Sequence, residues 1–199
     1  MNIPISSFSN FCRRVPEGDS LERMVCSECD WIHYENPRII LTGFCIHDGH
    51  VLLARRAIPP RYGFWTLPGG FMEVGETMEA GACREVFEET GADVKATSLL
   101  ATYAVPRIGQ VHMVYLADLA EAKFPGGPES LDVQLFPLQQ DQLPWDDLAF
   151  PVNEWALRDY LELAGQPPTQ PFTTRPEDLH QRMSRVPYHP DFPPPDELP

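Results

Sequence analysis

The residues best suited to chemistry lie between Leu67 and Ala92, LPGGFMEVGETMEAGACREVFEETGA. Glu85, Glu88 and Glu89 stand three and four residues apart, so a helix over Thr77–Thr90 brings all three carboxylates to one face. Acidic residues at this spacing are most often a solvated face. Like charges one turn apart repel by about a few tenths of a kcal/mol per pair, and clustered hard oxygens suit Mg2+ or Mn2+. Ala80, Cys83, Val86 and Phe87 are assigned to the opposite, core-facing side of that helix. Gly69, Gly70 and Gly75 come just before it and let the backbone bend tightly around a ligand. A second group is the C-x-x-C of Cys26 and Cys29, with Cys12 upstream. Cys45 and Cys83 sit alone in apolar segments and read as reduced, buried thiols.

These side chains need a scaffold. Arg38–His47 and His50–Arg55 are apolar runs joined through His47-Asp48-Gly49, a hairpin signal. Leu99–Pro106, Gln110–Leu119 and Val133–Leu138 read as further strands. Asn153–Ala164 reads as a second helix, with Asn153 as its N-cap and Gly165 as its stop. The chain thus divides into a small cysteine-bearing knuckle over 1–37, an α/β domain over 38–164 and a Pro-rich extended tail over 165–199. The tail holds ten of the 22 prolines, so long helix and central strand are excluded there; it is expected to bury little, with one helical turn near Pro176–Met183.

With 199 residues, 43% of them hydrophobic, the chain can bury a core. Its 15 Lys and Arg against 29 Asp and Glu give a net charge of −14. Holding nucleic acid through its phosphates, or an anionic membrane, calls for a basic surface, so neither partner is expected. No run approaches the roughly 18 apolar residues of a membrane helix. The opening MNIPISSFSN lacks the flanks of a secretory signal, and the cysteines do not form a disulfide framework, so a cytoplasmic location is expected. An acidic protein can still bind a phosphorylated small molecule if a divalent cation stands between them.

Gly70, five residues, Glu76, seven residues, then Arg84-Glu85-Val86-Phe87-Glu88-Glu89-Thr90-Gly91-Ala92 resembles the complete Nudix box, G-x5-E-x7-R-E-U-x-E-E-x-G-U with U apolar; only the last apolar position is filled weakly, by Ala92. The resemblance implies a Nudix hydrolase with an α/β/α sandwich around a mixed β-sheet. Such enzymes use Mg2+ or Mn2+ to cleave a nucleoside diphosphate linked to another moiety. The resemblance makes Glu85, Glu88 and Glu89 catalytic residues and metal ligands, with Glu76 beside them at the metal. Arg84 would pair with Glu76 and hold the loop to the helix. The general base would be one of the glutamates or a carboxylate from a downstream loop. The chemistry is coherent: pyrophosphate oxygens repel hydroxide, and a metal ion neutralises that charge and acidifies bound water.

A second resemblance runs through FC, VPEGD, CSECD followed by HYENP, RYGFWTLPGG, VPRIGQVHMVYLA and PGGPESLDVQLFPL followed by LPWDDLAF. These segments are similar to the zinc-ribbon Nudix hydrolases that include FAD and ADP-ribose pyrophosphatases. Those relatives carry two C-x-x-C pairs, which close a tetrahedral zinc site. Here the first is reduced to Cys12-Arg13-Arg14, so a degenerate knuckle without metal is expected; Zn2+ on Cys12, Cys26 and Cys29, with His33 as fourth candidate, is the alternative.

The resemblance implies FAD, cleaved to AMP and FMN, or ADP-ribose, cleaved to AMP and ribose 5-phosphate, as substrate. Candidate substrate contacts are Gly69 and Gly70, Arg56 with its neighbour Arg55 for phosphate, Trp65 as a stacking platform with Tyr62, Phe64 and Tyr103 behind it, and Glu129 with Asp132 as loop carboxylates. Each has a plainer reading, as core aromatic, surface cation or solvated acid. His112, inside an apolar strand, reads as a satisfied core histidine. NADH pyrophosphatases carry an S-Q-P-W-P-F-P motif that is absent here, which leaves NADH and other dinucleotides or nucleotide sugars as alternatives. A non-catalytic nucleotide-sensing Nudix module is a further alternative, disfavoured by the full acidic set. A homodimer is compatible with the chain.

Overall fold

The computed structural model describes residues 10–119, 121–175, 177–178 and 189–192. It forms two compact units, Met1–Pro37 and Arg38–Pro199. In the first, β1 (Phe11–Arg14), β2 (Arg23–Cys26) and β3 (Ile32–His33) make an antiparallel sheet in that order.

The second unit grows from one hairpin. Asp48 and Gly49 both take positive φ, 45° and 73°, as a two-residue type I′ turn requires. They join β4 (Arg38–His47) to β5 (His50–Arg56). Away from the turn these strands take other partners: β6 (Trp65–Thr66) pairs with β5, and β7 (Gly69–Phe71) pairs with β4. On its other edge β4 runs parallel to β9 (Gln110–Leu119), which is antiparallel to β8 (Val94–Val105). β10 (Ser130–Pro137) closes the far side on β5, and β11 (Phe172–Thr173) the near side on β8. The result is one mixed sheet in the order β10-β5-β4-β9-β8-β11.

Side chains alternate across a strand, so each strand feeds two cores. Phe44, Val51, Leu53 and Val114 pack with Trp155, Ala156 and Leu157 of α2 (Pro151–Glu162). Cys45, Leu52 and Ala117 pack with Val86 of α1 (Met78–Thr90), and Leu41 and Tyr115 with its Ala82. The architecture is an α/β/α sandwich around a mixed sheet. Among the described residues, no helix is long and apolar enough to cross a membrane.

Local boundaries follow the capping chemistry. Thr77 is the N-cap of α1, its hydroxyl accepting from the Ala80 N–H at 3.2 Å, and Gly91 ends the helix at φ 71°. α2 starts earlier than its asparagine suggests. Pro151 takes the first turn, where its missing N–H costs nothing, and Phe150 is the cap residue. Asn153 is buried instead, donating from Nδ2 to the Thr66 hydroxyl at 3.1 Å.

Two expectations are corrected. The buried face of α1 carries Gly81, Ala82, Val86, Glu89 and Thr90, whereas Ala80 and Phe87 are exposed, Phe87 by 61%. Small residues let the helix lie close to the sheet, with Val86 occupying the space over Gly43, and this turns the acidic residues inward. The Pro-rich stretch, expected to bury little, adds an edge strand and a buried ion-pair network. Proline is compatible with this because β11 lies at a sheet edge, between Pro171 and Pro176. Phe172 packs on the core, and Arg175 reaches Asp159 at 2.5 Å and Glu162 at 2.8 Å. Asp159 is fully buried and accepts the Tyr103 hydroxyl at 2.7 Å. Asp178, also buried, is held by Arg158 at 3.2 Å. Further on, His189 donates its N–H to the Tyr62 carbonyl at 2.8 Å, and the Phe192 ring lies 4.1 Å from the Arg55 guanidinium. The helical turn expected near Pro176–Met183 falls mostly outside the described residues.

Removing one partner of a buried ion pair strands the other. Arg175→Ala is therefore expected to destabilise the protein by about 2 kcal/mol, tempered by the remaining contacts of Asp159 with Tyr103 and Arg158. Differential scanning calorimetry should show Tm lowered by roughly 4–8 °C. An unchanged Tm would mean that the Arg175 ion pairs add no stability.

Candidate active site

The carboxylates of α1 are organised by one arginine. Arg84 donates to both oxygens of Glu76, from Nε at 3.0 Å and from Nη2 at 2.9 Å, a bidentate pairing. Its Nη1 reaches Glu85 at 2.7 Å and Glu88 at 3.1 Å, and Nη2 also donates to the Phe71 carbonyl at 3.1 Å. Glu76 further accepts the Glu73 N–H at 2.7 Å. The Arg84 hydrogen bonds and this N–H hold its carboxyl down to about 2. Loop and helix are thereby locked together through β7, whose Gly70 packs directly against the Glu85 carboxylate. Any side chain at residue 70 would displace that group.

Glu89 lies beyond the reach of Arg84 and behaves differently. It is only 8% exposed, and burial pushes its carboxyl up to about 8. The Gly69 N–H, donating at 3.1 Å, and the charge of Arg56 favour ionisation, while Glu85 and Glu129 oppose it. Burial also raises Glu85, against the pull of Arg84.

Glu129, expected as a loop carboxylate, arrives on the segment that follows Pro125. Gly126 and Gly127 donate their N–H groups to the Thr90 and Glu89 carbonyls at 3.0 and 2.9 Å, and the Ser130 hydroxyl donates to the Glu89 carbonyl at 2.7 Å. These bonds satisfy carbonyls that a helix end leaves open. They set Glu129 across from the helix, and its own carbonyl accepts the Ala57 N–H at 2.8 Å. Between loop and helix is a cavity of about 540 Å³ lined by Glu85, Glu88, Glu89, Glu129, Phe87 and the segment Pro125–Pro128. The Pro-Gly-Gly-Pro run ahead of Glu129 marks this loop in the sequence. Phe87 was missed because it was assigned to the core.

The other candidates separate. Glu76 takes Arg84 on both of its oxygens and is not among the residues lining the cavity. Gly69 and Gly70 sit in β7 and carry the carboxylates. Arg56 stays near Glu89 and Glu129, its Nε donating to the Pro60 carbonyl at 2.8 Å. Trp65 is 3% exposed and is a core residue, with the Arg55 guanidinium 4.4 Å from its ring. Tyr62, Phe64 and Tyr103 are buried as well, so none of the four forms an open platform. Asp132 turns to its own strand, accepting from Val133 and Gln134. His112 is held neutral, its pKa lowered to about 4 by burial.

Among the described residues no three His, Cys, Asp or Glu side chains are gathered closely enough to hold a metal ion as they stand. The cavity nevertheless fits a hard divalent cation. Four carboxylates face it, and the ionisation of Glu85 and Glu89 is opposed by burial and by neighbouring acids, which a cation would relieve. Of the zinc candidates, Cys12 lies exposed in β1 opposite Val25, Cys26 is buried at the end of β2, Cys29 is exposed in the turn that follows, and His33 pairs with Met24 in β3.

At Gly127 an added Cβ would collide with the Glu88 backbone carbonyl. Gly127→Ala is accordingly expected to cost about 1–3 kcal/mol and to loosen the loop bearing Glu129. Amide exchange of Gly126 and Gly127 should accelerate; protection equal to that of the parent would place the loop's anchor elsewhere.

Comparison with known proteins agrees with this geometry. The NUDIX domain family matches residues 38–156, and the zinc-ribbon family described as Nudix N-terminal matches 9–35. An ADP-ribose pyrophosphatase of Methanocaldococcus jannaschii is 34% identical over 132 residues, 64% of this chain and 75% of that protein. The NAD-capped RNA hydrolase NudC of Edwardsiella ictaluri is 34% identical over 107 residues, 54% of this chain but 41% of the relative, so the chain spans less than half of that protein's length. The crystal structure of a NUDIX hydrolase from Nitrosomonas europaea superposes with a TM-score of 0.77 at 43% identity, covering 82% of this chain and 93% of the other. The family match spans more than half of the sequence and contains the whole Arg84-centred acidic site, and on that ground the chain belongs to the Nudix hydrolases.

Proposed function

We propose that the enzyme hydrolyses the pyrophosphate bond of an ADP-linked small molecule, with ADP-ribose as the first candidate and Mg2+ or Mn2+ as cofactor. The observation that carries this reading is the gathering of Glu85, Glu88, Glu89 and Glu129 around one cavity, with burial opposing the ionisation of Glu89. Glu85, Glu88 and Glu89 would hold the metal. When bound, it neutralises pyrophosphate oxygens and acidifies water. Arg84 keeps Glu85 and Glu88 in place, and Glu76 keeps Arg84 in place. The Gly69 N–H orients Glu89. Glu129, on its anchored loop, takes the proton of the attacking water on its carboxylate, and Arg56 supplies positive charge nearby.

The net charge of −14 supports a free nucleotide over a capped RNA chain as substrate. FAD is the second reading, and one observation favours it. With Tyr62, Phe64, Trp65 and Tyr103 buried, the exposed ring at the cavity is Phe87, which offers a face to a flat ring system.

Glu89→Gln and Glu88→Gln are expected to lower kcat by on the order of 10²-fold or more, with the fold intact by circular dichroism. Chelation should abolish turnover and Mg2+ or Mn2+ restore it. Full turnover by the double variant would end this reading. A panel of ADP-ribose, FAD, NADH and nucleoside triphosphates compared by kcat/KM should favour the first two.

Stacking on an aromatic side chain is worth about 1–3 kcal/mol per ring. Phe87→Ala should therefore raise KM for FAD by roughly 5–150-fold while changing KM for ADP-ribose less. Equal effects on both substrates would put the shared adenine, and not the flavin, against Phe87.

A further inference from the structure

The loop over residues 57–64, between β5 and β6, is gripped by the C-terminal segment. At the base of the loop the Arg56 N–H donates to the Phe64 carbonyl and the Gly63 N–H to the Arg56 carbonyl, both at 2.9 Å. Arg56 also ties the loop from its side chain, Nε donating to the Pro60 carbonyl at 2.8 Å. Residues 189–192 lie against Tyr62 and Gly63. The His189 N–H donates to the Tyr62 carbonyl at 2.8 Å, and the Phe192 N–H to the His189 carbonyl at 3.0 Å. Gly63 stands at φ 82°, and a Cβ there would lie 2.7 Å from the Cβ of both His189 and Phe192.

Side chains complete the grip. The Arg55 guanidinium meets the Phe192 ring at 4.1 Å and the Trp65 ring at 4.4 Å, and its Nη1 donates to the Gly63 carbonyl at 2.8 Å. His189 is buried, its ring edge-on to Phe64 at 5.0 Å. Its Nδ1 accepts the Asp191 N–H at 3.2 Å, so its proton sits on Nε2, which donates to Asp147 at 3.0 Å.

The gripped loop leads directly to Glu129. Ala57, its first residue, donates its N–H to the Glu129 carbonyl at 2.8 Å, and Ser130 pairs with Arg56 across β10 and β5. Neither His189 nor Phe192 lines the cavity. We propose that His189 and Phe192 are positioning residues for hydrolysis: they fix the 57–64 loop, and through Ala57 the loop fixes the main chain at Glu129. The proposal rests on the role of Glu129 as acceptor of the water proton. A displacement of about 1 Å at a reacting group costs up to about 10²-fold in rate, so a hold at this distance from the chemistry can set kcat.

The test is a cycle in the full chain, with ADP-ribose and Mg2+ as probe and circular dichroism to check folding. The double variant His189→Ala/Phe192→Ala should lower kcat by on the order of 10-fold with KM little changed. Amide exchange at Ala57 should accelerate by a similar factor, and Phe192→Tyr, which keeps a ring on Arg55, should behave as the parent. Glu129→Gln alone should lower kcat by on the order of 10²-fold. Added to Glu129→Gln, the tail substitutions should cost nothing further, because they act through that residue. Phe192→Leu, which loses only the ring, carries the same cycle if the double variant does not fold. Loss of the same factor in both backgrounds, or parent-like exchange at Ala57, would overturn the proposal. Parent-like kcat in Glu129→Gln would instead remove Glu129 as the proton acceptor, and exchange at Ala57 would then decide whether the tail holds the loop.

Discussion

The guanidinium of Arg84 is what lets several carboxylates share one helix end. It carries one positive charge, yet it faces Glu76, Glu85 and Glu88 at once, through hydrogen bonds of 2.7–3.1 Å. A lysine ammonium could neutralise as much charge but has no planar fork to hold Glu76 through two parallel bonds while reaching two further acids. Glu89, which it does not touch, is the group whose pKa climbs to about 8. The contrast with Glu76, held near 2, shows how steeply the environment changes from the supporting loop to the cavity.

Two close approaches of main chain make this crowding geometrically possible. Gly70 brings β7 against Glu85 from the sheet side, and Gly127 brings the Pro-rich loop against the Glu88 carbonyl from the C-terminal side. Neither space admits a β-carbon without displacing what it meets. The loop also solves a separate problem, since its N–H groups satisfy carbonyls that the end of α1 leaves open. Capping the helix and delivering Glu129 are thus a single structural act, and the Ala57 N–H fixes the loop's far end.

Much of this was legible in the chain. The spacing of Gly70, Glu76, Arg84, Glu85, Glu88 and Glu89 carries the resemblance to the Nudix box, and the family match over residues 38–156 bears that resemblance out. The Asp48-Gly49 turn is present, and the helix read over Thr77–Thr90 is α1 at Met78–Thr90, because turn and cap chemistry is local. Long-range packing was harder to read. A helical wheel that sends acids to solvent and apolar residues to the core misplaces Phe87, because Glu89 is buried for the sake of the site. Trp65 and Tyr103 look like platforms in a sequence and turn out to be core, one packed against Phe136 and the other bonded to Asp159. The tail's composition concealed its anchors, since Arg175 and Asp178 find their partners on α2, a relation no local pattern encodes.

The alternation of the central strands keeps these tasks apart. Val51 and Leu53 point into the α2 core, while Leu52 between them points into the α1 core. The α2 side carries the larger apolar cluster, the buried Asp159 and the strand that the tail adds at the edge. The α1 side carries smaller clusters and gives its helix face to Glu85 and Glu89. A face that buries a carboxylate without a fixed cation partner gives up stability to hold it. The opposite face, dense in aromatic and aliphatic contacts, can offset that cost through the shared strands without placing a single side chain near the cavity.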